Sequence, residues 1–460
     1  MKTLNFIGAM SASLIICLFT ACQSDYLEAK PDRALLVPTT LSDFQALLDN
    51  NIQINKSTSL PLTGTDDITL TEAGYNNASN TNKNAYIWAE NLYDGEIQGD
   101  WSYPYVQVFY SNIVLDGLEK LNEKDGLTYN AVKGAALFYR AFAFSQLVTS
   151  YSPAYKKSTA DHEMGVPILL SSNINQKYDR GTSQQSYDQI ISDLTTATSL
   201  LPVLAHNVYR PNRAASFALL ARVYLCMGDY ALSIKAADEC IKLESRILDY
   251  NTLMLDPKSS VIPFPKLFPI NLNTELLFNT GMAAFSFANS ATTLINDEIT
   301  NSYSANDLRK SAFIYDRGSG LYTFKGKYSG TTTPFSGLAL DEVILTRAEC
   351  YARLDKPNEA LADLNMLLLK RYKTGTFIPY TVNNTVNVMK LVLAERRKEL
   401  LFRGSRWMDL KRLNLEPDYA TTITRVVNGK VYTLLPNSKR YVLPIPDEEI
   451  IVSGIAQNQR

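Results

Sequence analysis

Histidine is almost absent from this chain, with 2 residues in 460. Zinc sites and His-based catalysis depend on imidazole groups, so this inventory disfavours both kinds of chemistry. The chain also has no long basic run, and its 45 Lys and Arg residues balance 46 Asp and Glu residues. Nucleic acid is therefore not an expected partner. We also expect no cofactor and no bound metal.

Cysteine is scarce too, and its positions argue against a disulfide framework. Cys17 lies in the apolar N-terminal stretch, and Cys22 follows that stretch. Cys226, Cys240 and Cys350 remain, and each falls within a helical apolar pattern. An odd number of cysteines in such patterns indicates buried free thiols rather than disulfides.

The first residues have the composition of a processing signal rather than of folded structure. Lys2 precedes an apolar or small stretch that ends in Phe19-Thr20-Ala21-Cys22. This ending resembles a bacterial lipoprotein signal, which implies removal of residues 1–21 and lipidation of Cys22. A plain secretory leader is the alternative. A membrane-spanning helix fits less well, because the run barely reaches the roughly 18–20 apolar residues of a span.

Two helical hairpins define the expected fold. From Asn212 to Leu243, apolar residues recur at helical spacing on either side of a break at Gly228-Asp229. The small residues Ala221, Ser233 and Cys240 would lie where these two helices cross. The arrangement resembles a tetratricopeptide unit. A second such hairpin spans residues 341–364, and repeat units need neighbours to bury their faces. We therefore expect a chain that brings the two units together in space.

The remaining regions suggest a mainly α-helical, tetratricopeptide-like scaffold (an α-α superhelix) with irregular insertions and a few short β-strands. The chain has 460 residues, of which 46% are hydrophobic. It exceeds the roughly 250–300 residues at which a single hydrophobic core stops growing, so we expect two or more core regions. The expected segments are a tether and first helix (22–50), a loop-rich ligand-binding region (51–100), a helical scaffold (101–245), an irregular ligand-binding insertion (246–336), more scaffold (337–413), and a C-terminal hairpin and tail (414–460).

Several separate segments together resemble the SusD/RagB nutrient-binding lipoproteins of the Bacteroidota outer membrane. The matching residues are the lipoprotein cysteine, Trp101 with Tyr110 and Asn112, Arg140-Ala141-Phe142, Gly165-Val166-Pro167, Arg180 followed by Tyr187, Ile190, Asp193, Leu194 and Ala197, and Glu395-Arg396-Arg397-Lys398-Glu399-Leu400 leading into Gly404, Arg406, Trp407, Asp409 and Leu410. Two features depart from the family pattern. Arg403 stands where an acidic residue is common, and the chain lacks the usual Asn-Pro-Gly ending.

The resemblance implies a binding protein without catalytic residues. Members of this family lie on the cell surface as a hinged lid over a TonB-dependent barrel transporter of the SusC type, anchored to the outer membrane by their lipid. They capture oligosaccharides, or in some members oligopeptides. The alternatives are a lipoprotein glycoside hydrolase and a protein-scaffold adaptor without a small-ligand site.

Candidate ligand residues come from the two irregular regions, because the family has no fixed motif for them. Sugars present apolar C–H faces and hydroxyl groups, so flat rings beside polar side chains form a suitable site. Trp88 is the first choice because it lies in a polar stretch, with a core position as its alternative. The full set is Asp66, Asp67, Asn84, Tyr86, Trp88 and Tyr93, with Tyr315, Arg317, Tyr322 and Tyr328.

Two groups of carboxylates invite other interpretations. Glu399 and Asp409 could act as the paired carboxylates of a glycosidase. Neighbouring Arg and Lys residues would lower their pKa values, so we expect structural ion pairs there. Asp66 and Asp67 could hold calcium, but their spacing matches no known calcium loop. Trp101 and Trp407 are expected in the scaffold core.

Overall fold

Helices dominate the chain, which the computed structural model describes over residues 38–96, 99–265, 273–283 and 286–460. Within those ranges, residues 41–460 form one unit. Its helices are α1 Leu41–Leu48, α2 Asn51–Ile54, α3 Leu60–Thr63, α4 Glu72–Asn77, α5 Asn80–Tyr86, α6 Gly99–Leu118, α7 Gly126–Tyr151, α8 Ser183–Leu200, α9 Arg213–Met227, α10 Tyr230–Leu243, α11 Asp297–Ser302, α12 Leu308–Phe313, α13 Leu340–Arg353, α14 Pro357–Leu368, α15 Val388–Glu399, α16 Arg406–Leu413 and α17 Asp447–Ser453.

The strands are short and pair in twos. They are β1 Lys56–Ser57, β2 Ile68–Leu70, β3 Met164–Pro167, β4 Arg180–Thr182, β5 Leu276–Phe278, β6 Gly281–Met282, β7 Thr293–Ile295, β8 Ile314–Asp316, β9 Tyr322–Phe324, β10 Leu338–Ala339, β11 Ile423–Val427 and β12 Lys430–Leu434. The pair β1–β6 is parallel, whereas β2–β7, β3–β4, β5–β10, β8–β9 and β11–β12 are antiparallel.

The long helices form the predicted tetratricopeptide-like scaffold. Helices α6 to α10 pack each on the next, and α13 packs on both α10 and α14. Arg347 of α13 joins Asp238 of α10 at 2.7 Å and Asp363 of α14 at 2.6 Å. The array therefore continues across the insertion between α10 and α13. The prediction that two distant hairpins meet in space is confirmed.

The α9–α10 hairpin follows its sequence signals closely. The Asn212 side chain accepts a hydrogen bond from the Ala215 amide at 2.8 Å, which caps the start of α9. Gly228 adopts the left-handed conformation with φ +77°, as a helix end requires. The Ser233 hydroxyl donates to the Ala221 carbonyl at 2.8 Å, so the small residues do lie at the crossing. Cys240 is buried in the same interface as a free thiol.

Polar residues of the family pattern meet inside the scaffold. The Arg140 guanidinium donates to Asp193 at 2.7 and 2.8 Å and to the Asn112 side chain at 3.0 Å. These residues come from α6, α7 and α8, and all three are buried. The motif therefore ties three scaffold helices together at one point.

A larger group of buried charges, which we call the ion network, joins α15 to the insertion. Arg309 contacts Asp307 at 2.6 Å, Glu395 at 2.5 Å and Glu399 at 3.2 Å. Arg371 bridges Glu399 and Glu275, both at 2.7 Å. All six side chains are at most 3% exposed. The prediction of structural ion pairs in this segment is confirmed.

The region 51–100 differs from its predicted loop character, because α2 to α5 and two strands lie within it. Each helix has at most 7 residues, too few for apolar periodicity to show. Their caps are local: Thr71 accepts from the Gly74 amide and Ser79 from the Asn82 amide. Helices α15 and α16 are separated by a turn in which Phe402 and Gly404 adopt positive φ angles.

The predicted C-terminal hairpin is formed by β11 and β12, and it turns at Asn428-Gly429. Trp101 and Trp407 are 5% and 2% exposed, which confirms both as core residues. Among the described helices, none is long and apolar enough to cross a membrane. Cys22 and the expected signal segment lie outside the described residues.

Breaking the Arg140–Asp193 pair should destabilise the scaffold. Asp193→Ala leaves the buried guanidinium without its counter-ion, and we expect the free energy of unfolding to fall by about 3–5 kcal/mol. Asp188→Ala is the matched control on the same helix, because Asp188 is exposed and should cost less than about 0.5 kcal/mol. Denaturant unfolding measures both. Equal losses in the two variants would contradict a structural role for the pair.

Candidate functional site

The two irregular regions of the chain meet in space. Strand β1 pairs with β6 and β2 pairs with β7, so each pair joins residues 51–100 to residues 246–336. The Asn296 side chain and amide donate to the carbonyls of Asp66 and Asp67 at 3.0 and 2.9 Å. The insertions therefore form one body that is attached to the scaffold.

A cleft of about 440 Å³ opens where these regions approach α6 and the loop before α9. This volume falls within the roughly 300–1,000 Å³ typical of small-molecule sites. Aromatic rings, amide groups and hydroxyl groups share its surface. The lining residues are Asn51, Ile52, Asn55, Lys56, Tyr103, Tyr209, Asn279, Gly281, Met282, Ala283, Ser329, Thr331 and Thr333. We call this feature the Tyr103 cleft.

The two sides of the Tyr103 cleft are joined by hydrogen bonds from a side chain to backbone carbonyls. The Asn55 side chain donates to the carbonyls of Asn279 at 2.8 Å and Tyr209 at 3.1 Å. Gly281 is required next to Thr333, because a Cβ atom at position 281 would lie 2.4 Å from the Thr333 methyl group. These contacts fix the two sides of the cleft relative to each other.

The cleft combines aromatic rings with uncharged polar groups. Its described lining residues include no carboxylate, histidine or cysteine. The Tyr103 and Tyr209 side chains are half-buried, so each combines an apolar ring with a polar tip. Such a surface can contact a ring-shaped ligand that carries many hydroxyl groups.

The structure places Trp88 and Tyr86 in the core rather than on an open surface. Trp88 is 2% exposed, and its indole N–H donates to the Gly64 carbonyl at 2.9 Å. Tyr86 is 4% exposed and accepts from the Leu70 amide at 3.0 Å. The Arg425 guanidinium lies over both rings, 3.7 Å from the Tyr86 centroid and 4.5 Å from the Trp88 centroid. A ligand has no open ring face to stack on here.

Asp66 and Asp67 are engaged by arginines. Asp66 binds Arg406 at 2.7 Å and Arg397 at 3.0 Å, and Asp67 binds Arg397 at 2.9 Å. Burial alone would raise the pKa of Asp66, but the nearby Arg406 outweighs it and lowers that pKa to about 2. Burial raises the pKa of Asp67. In the described part of the chain, no cluster of three or more His, Cys, Asp or Glu side chains could hold a metal ion.

Three further predicted residues form internal hydrogen bonds. The hydroxyl of the buried Tyr93 donates to the Pro444 carbonyl at 2.7 Å, and the Asn84 amide donates to the Leu92 carbonyl at 3.2 Å. Tyr328 is 1% exposed and hydrogen-bonds to Glu275. These side chains stabilise the insertions from within.

The last three predicted residues lie on the β8–β9 hairpin. Tyr315 and Tyr322 are half-buried and Arg317 is exposed. The Arg317 guanidinium lies 4.9 Å from the Tyr315 ring centroid and donates to Thr323 at 3.0 Å. These side chains can reach a ligand, but none of them lines the Tyr103 cleft.

None of the individual residues of the Tyr103 cleft was predicted as a ligand contact, although most of them lie within the two predicted ligand-binding regions, 51–100 and 246–336. Tyr103 and Tyr209 both fall within the segment 101–245, which was predicted to be scaffold. The amide-rich run from Asn50 to Lys56 is a local signal for one side of the cleft.

The carboxylates considered for catalysis are structural. Burial raises the pKa of Glu399 despite Arg371 and Arg309, so the expectation that cations would lower it was wrong. At Asp409 burial also acts to raise the pKa, but Arg396 and Arg412 outweigh it and the pKa is lowered. Both side chains are at most 4% exposed. Substrate cannot reach either of them.

Comparison with known proteins points to one family along most of the chain. A model described as "Starch-binding associating with outer membrane" matches residues 25–225. A model described as "SusD family" matches residues 325–459. The SusD-like protein P2 of Formosa agariphila is 23% identical, over 78% of this chain and 79% of that protein.

Solved structures share the fold. A SusD superfamily protein from Bacteroides thetaiotaomicron superposes with a TM-score of 0.71 at 23% identity, covering 92% of this chain and 100% of that one. A SusD-like carbohydrate binding protein from Bacteroides vulgatus gives 0.66 at 17% identity, covering 91% and 97%. Together with the two family models and the shared helical scaffold, these matches show that the chain belongs to the SusD/RagB family.

Proposed function

We propose that this protein is a non-enzymatic, cell-surface lipoprotein that binds oligosaccharides in the Tyr103 cleft. It then passes them to a TonB-dependent barrel transporter of the SusC type, over which it acts as a hinged lid. The observation that carries the proposal is a ring-lined, carboxylate-free cleft in a member of a family described as starch-binding and associated with the outer membrane.

The cleft has the groups that sugar binding needs. Tyr103 and Tyr209 offer rings for the C–H faces of a pyranose, and Tyr hydroxyl groups add polar contacts. Asn51 and Asn279 present amides that can both donate and accept, which matches the dual character of sugar hydroxyls. Thr331 adds a hydroxyl group on the facing side.

Hydrolysis is not supported by this arrangement. Glycosidases use two carboxyl groups separated by roughly 5–9.5 Å across the scissile bond. The described cleft residues supply none, and Glu399 and Asp409 are enclosed in the ion network and its surroundings. The protein therefore captures a ligand without cleaving it.

We place three of the residues predicted from sequence at an outer contact region. Tyr315, Arg317 and Tyr322 would touch the distal part of a long ligand from the β8–β9 hairpin. The other predicted residues would act only by supporting the insertions. They are Asp66, Asp67, Asn84, Tyr86, Trp88, Tyr93 and Tyr328.

Family membership supports the proposed transporter partner, and Cys22 supports the proposed lipid anchor in the outer membrane. A lipidated cysteine with two or more acyl chains gives stable attachment to a membrane. Cys22→Ala should move the protein from the membrane fraction to the soluble fraction of the exporting cell. Retention of the variant in the outer membrane would contradict the anchor.

Tyr103→Ala should weaken oligosaccharide binding about tenfold or more, because a central aromatic contact is removed. Isothermal titration of the purified protein with maltooligosaccharides and other glycans measures this effect. Trp88→Phe is the matched aromatic control. It leaves the Gly64 carbonyl without its donor, so we expect the free energy of unfolding to fall by about 1–3 kcal/mol while glycan affinity is retained.

The same titration separates the alternatives. Binding of oligopeptides but not of glycans would replace the sugar ligand with a peptide and support the peptide-binding form of the lid. Release of shorter sugars from a bound glycan would reveal a hydrolase. A protein that binds neither class would contradict the proposal and favour a scaffold adaptor.

A further inference from the structure

One charged residue stands out in the Tyr103 cleft. Among the described lining residues, Lys56 alone carries a charge. Resting on the function proposed above, we propose that the cleft selects anionic sugars, bearing a carboxylate or a sulfate ester, and that the Lys56 ammonium is the group that recognises this charge.

The backbone around Lys56 is fixed from two sides. Strand β1 pairs with β6, with Lys56 opposite Gly281. On the other side, the Gln107 side chain of α6 donates to the Lys56 carbonyl. The next residue but one, Thr58, donates its amide to Gln146 at 2.9 Å. A lysine on such a segment presents its charge at a defined place, which lowers the cost of ordering it on binding.

The Lys56 side chain is directed along the cleft wall by an aromatic ring. Its ammonium nitrogen lies 4.2 Å from the centroid of the Tyr103 ring, within the range of a cation–π contact. The side chain is half-buried, so solvent reaches part of it. Charge recognition and ring stacking would thus act on the same region of a bound sugar.

The Lys56 charge lacks a counter-ion among the described residues. The neighbouring Arg210, which follows Tyr209 of the cleft, does have one, because it binds Asp49 at 2.5 Å. Lys56 forms no ion pair with any described carboxylate, and the ring of Tyr103 does not neutralise it. An ammonium group has three N–H donors, and an anionic ligand would complete its interactions.

A second cation lies behind the cleft wall. Lys327 is 7% exposed, and its ammonium donates to the Asn289 side chain. Asn289 in turn donates to the Thr332 carbonyl at 3.1 Å, between the lining residues Thr331 and Thr333. Lys327 also forms no ion pair with a described carboxylate. Its field adds to that of Lys56 and makes the cleft more favourable for a negative ligand.

The expected selectivity is moderate. A hydrogen bond to a charged group inside a protein is stronger than one at a fully exposed surface, where solvent screens the pair. For a half-buried lysine we expect an affinity ratio of about 3–10-fold in favour of the acidic sugar. Because an ammonium is a point charge without the fork geometry of arginine, carboxylates and sulfates should both be accepted.

Two matched pairs of probes test the inference by isothermal titration. The first pair is a short oligogalacturonate and its methyl ester, in which a methyl group replaces the charge of each carboxylate. The second is a carrageenan oligosaccharide and its desulfated form. We expect the charged member of at least one pair to bind about 3–10-fold more tightly, with a ratio that falls as salt is added.

Lys56→Met keeps most of the length of the side chain and removes the charge. It should bring the affinity ratio to about one, because the charged probe loses more affinity than its uncharged counterpart. Lys133→Met is the matched control, because Lys133 also lies beside a tyrosine ring, 5.8 Å from the Tyr129 centroid, but outside the cleft. The control variant should keep the selectivity of the unmodified protein.

The outcomes separate this inference from the proposed function. Equal binding within both pairs, or tighter binding of the uncharged members, overturns the charge selectivity and leaves sugar binding intact. Binding of neutral maltooligosaccharides alone has the same consequence. A charge preference that persists in Lys56→Met overturns the role of Lys56. Failure of every glycan to bind contradicts both proposals.

Discussion

The ion network between α15 and the insertion is the constraint on which the rest of the structure depends. Arg309 and Arg371 are completely buried, and both contact Glu399 of α15. Through Asp307 and Glu275 the same arginines hold two parts of the insertion. Removing one member of a buried ion pair commonly costs about 3–5 kcal/mol, because the other charge is left uncompensated. The network therefore requires that scaffold and insertion fold together.

Buried ion pairs also involve many of the residues that carry the family resemblance. Four residues of the motif that spans α15 and α16 are buried and ion-paired, namely Glu395, Arg396, Glu399 and Asp409. Arg140 and Asp193 form another buried ion pair. Arg403, which departs from the family pattern, contacts Asp341 of α13, so the change of charge has a local partner. The shared motifs therefore belong to the frame of the fold, and none of their residues lines the Tyr103 cleft.

Local sequence signals predict the structure correctly where tertiary packing agrees with them. The break at Gly228 and the C-terminal hairpin appear where they were predicted. Local signals do not suffice where long-range contacts decide where a side chain lies. Trp88 stands in a polar stretch, but Arg425, more than 300 residues away, covers its ring. The Tyr103 cleft is formed by residues from separate segments of the chain, and no spacing within any one segment indicates the others.

Hydrogen–deuterium exchange with and without a bound oligosaccharide would show whether ligands bind between the two insertions. Binding in the Tyr103 cleft should slow exchange at residues 51–57, 279–283 and 329–333, which form its sides. Exchange in the scaffold hairpin α9–α10 should not change. Protection confined to the β8–β9 hairpin or to the scaffold, with none along the cleft, would contradict binding in the Tyr103 cleft.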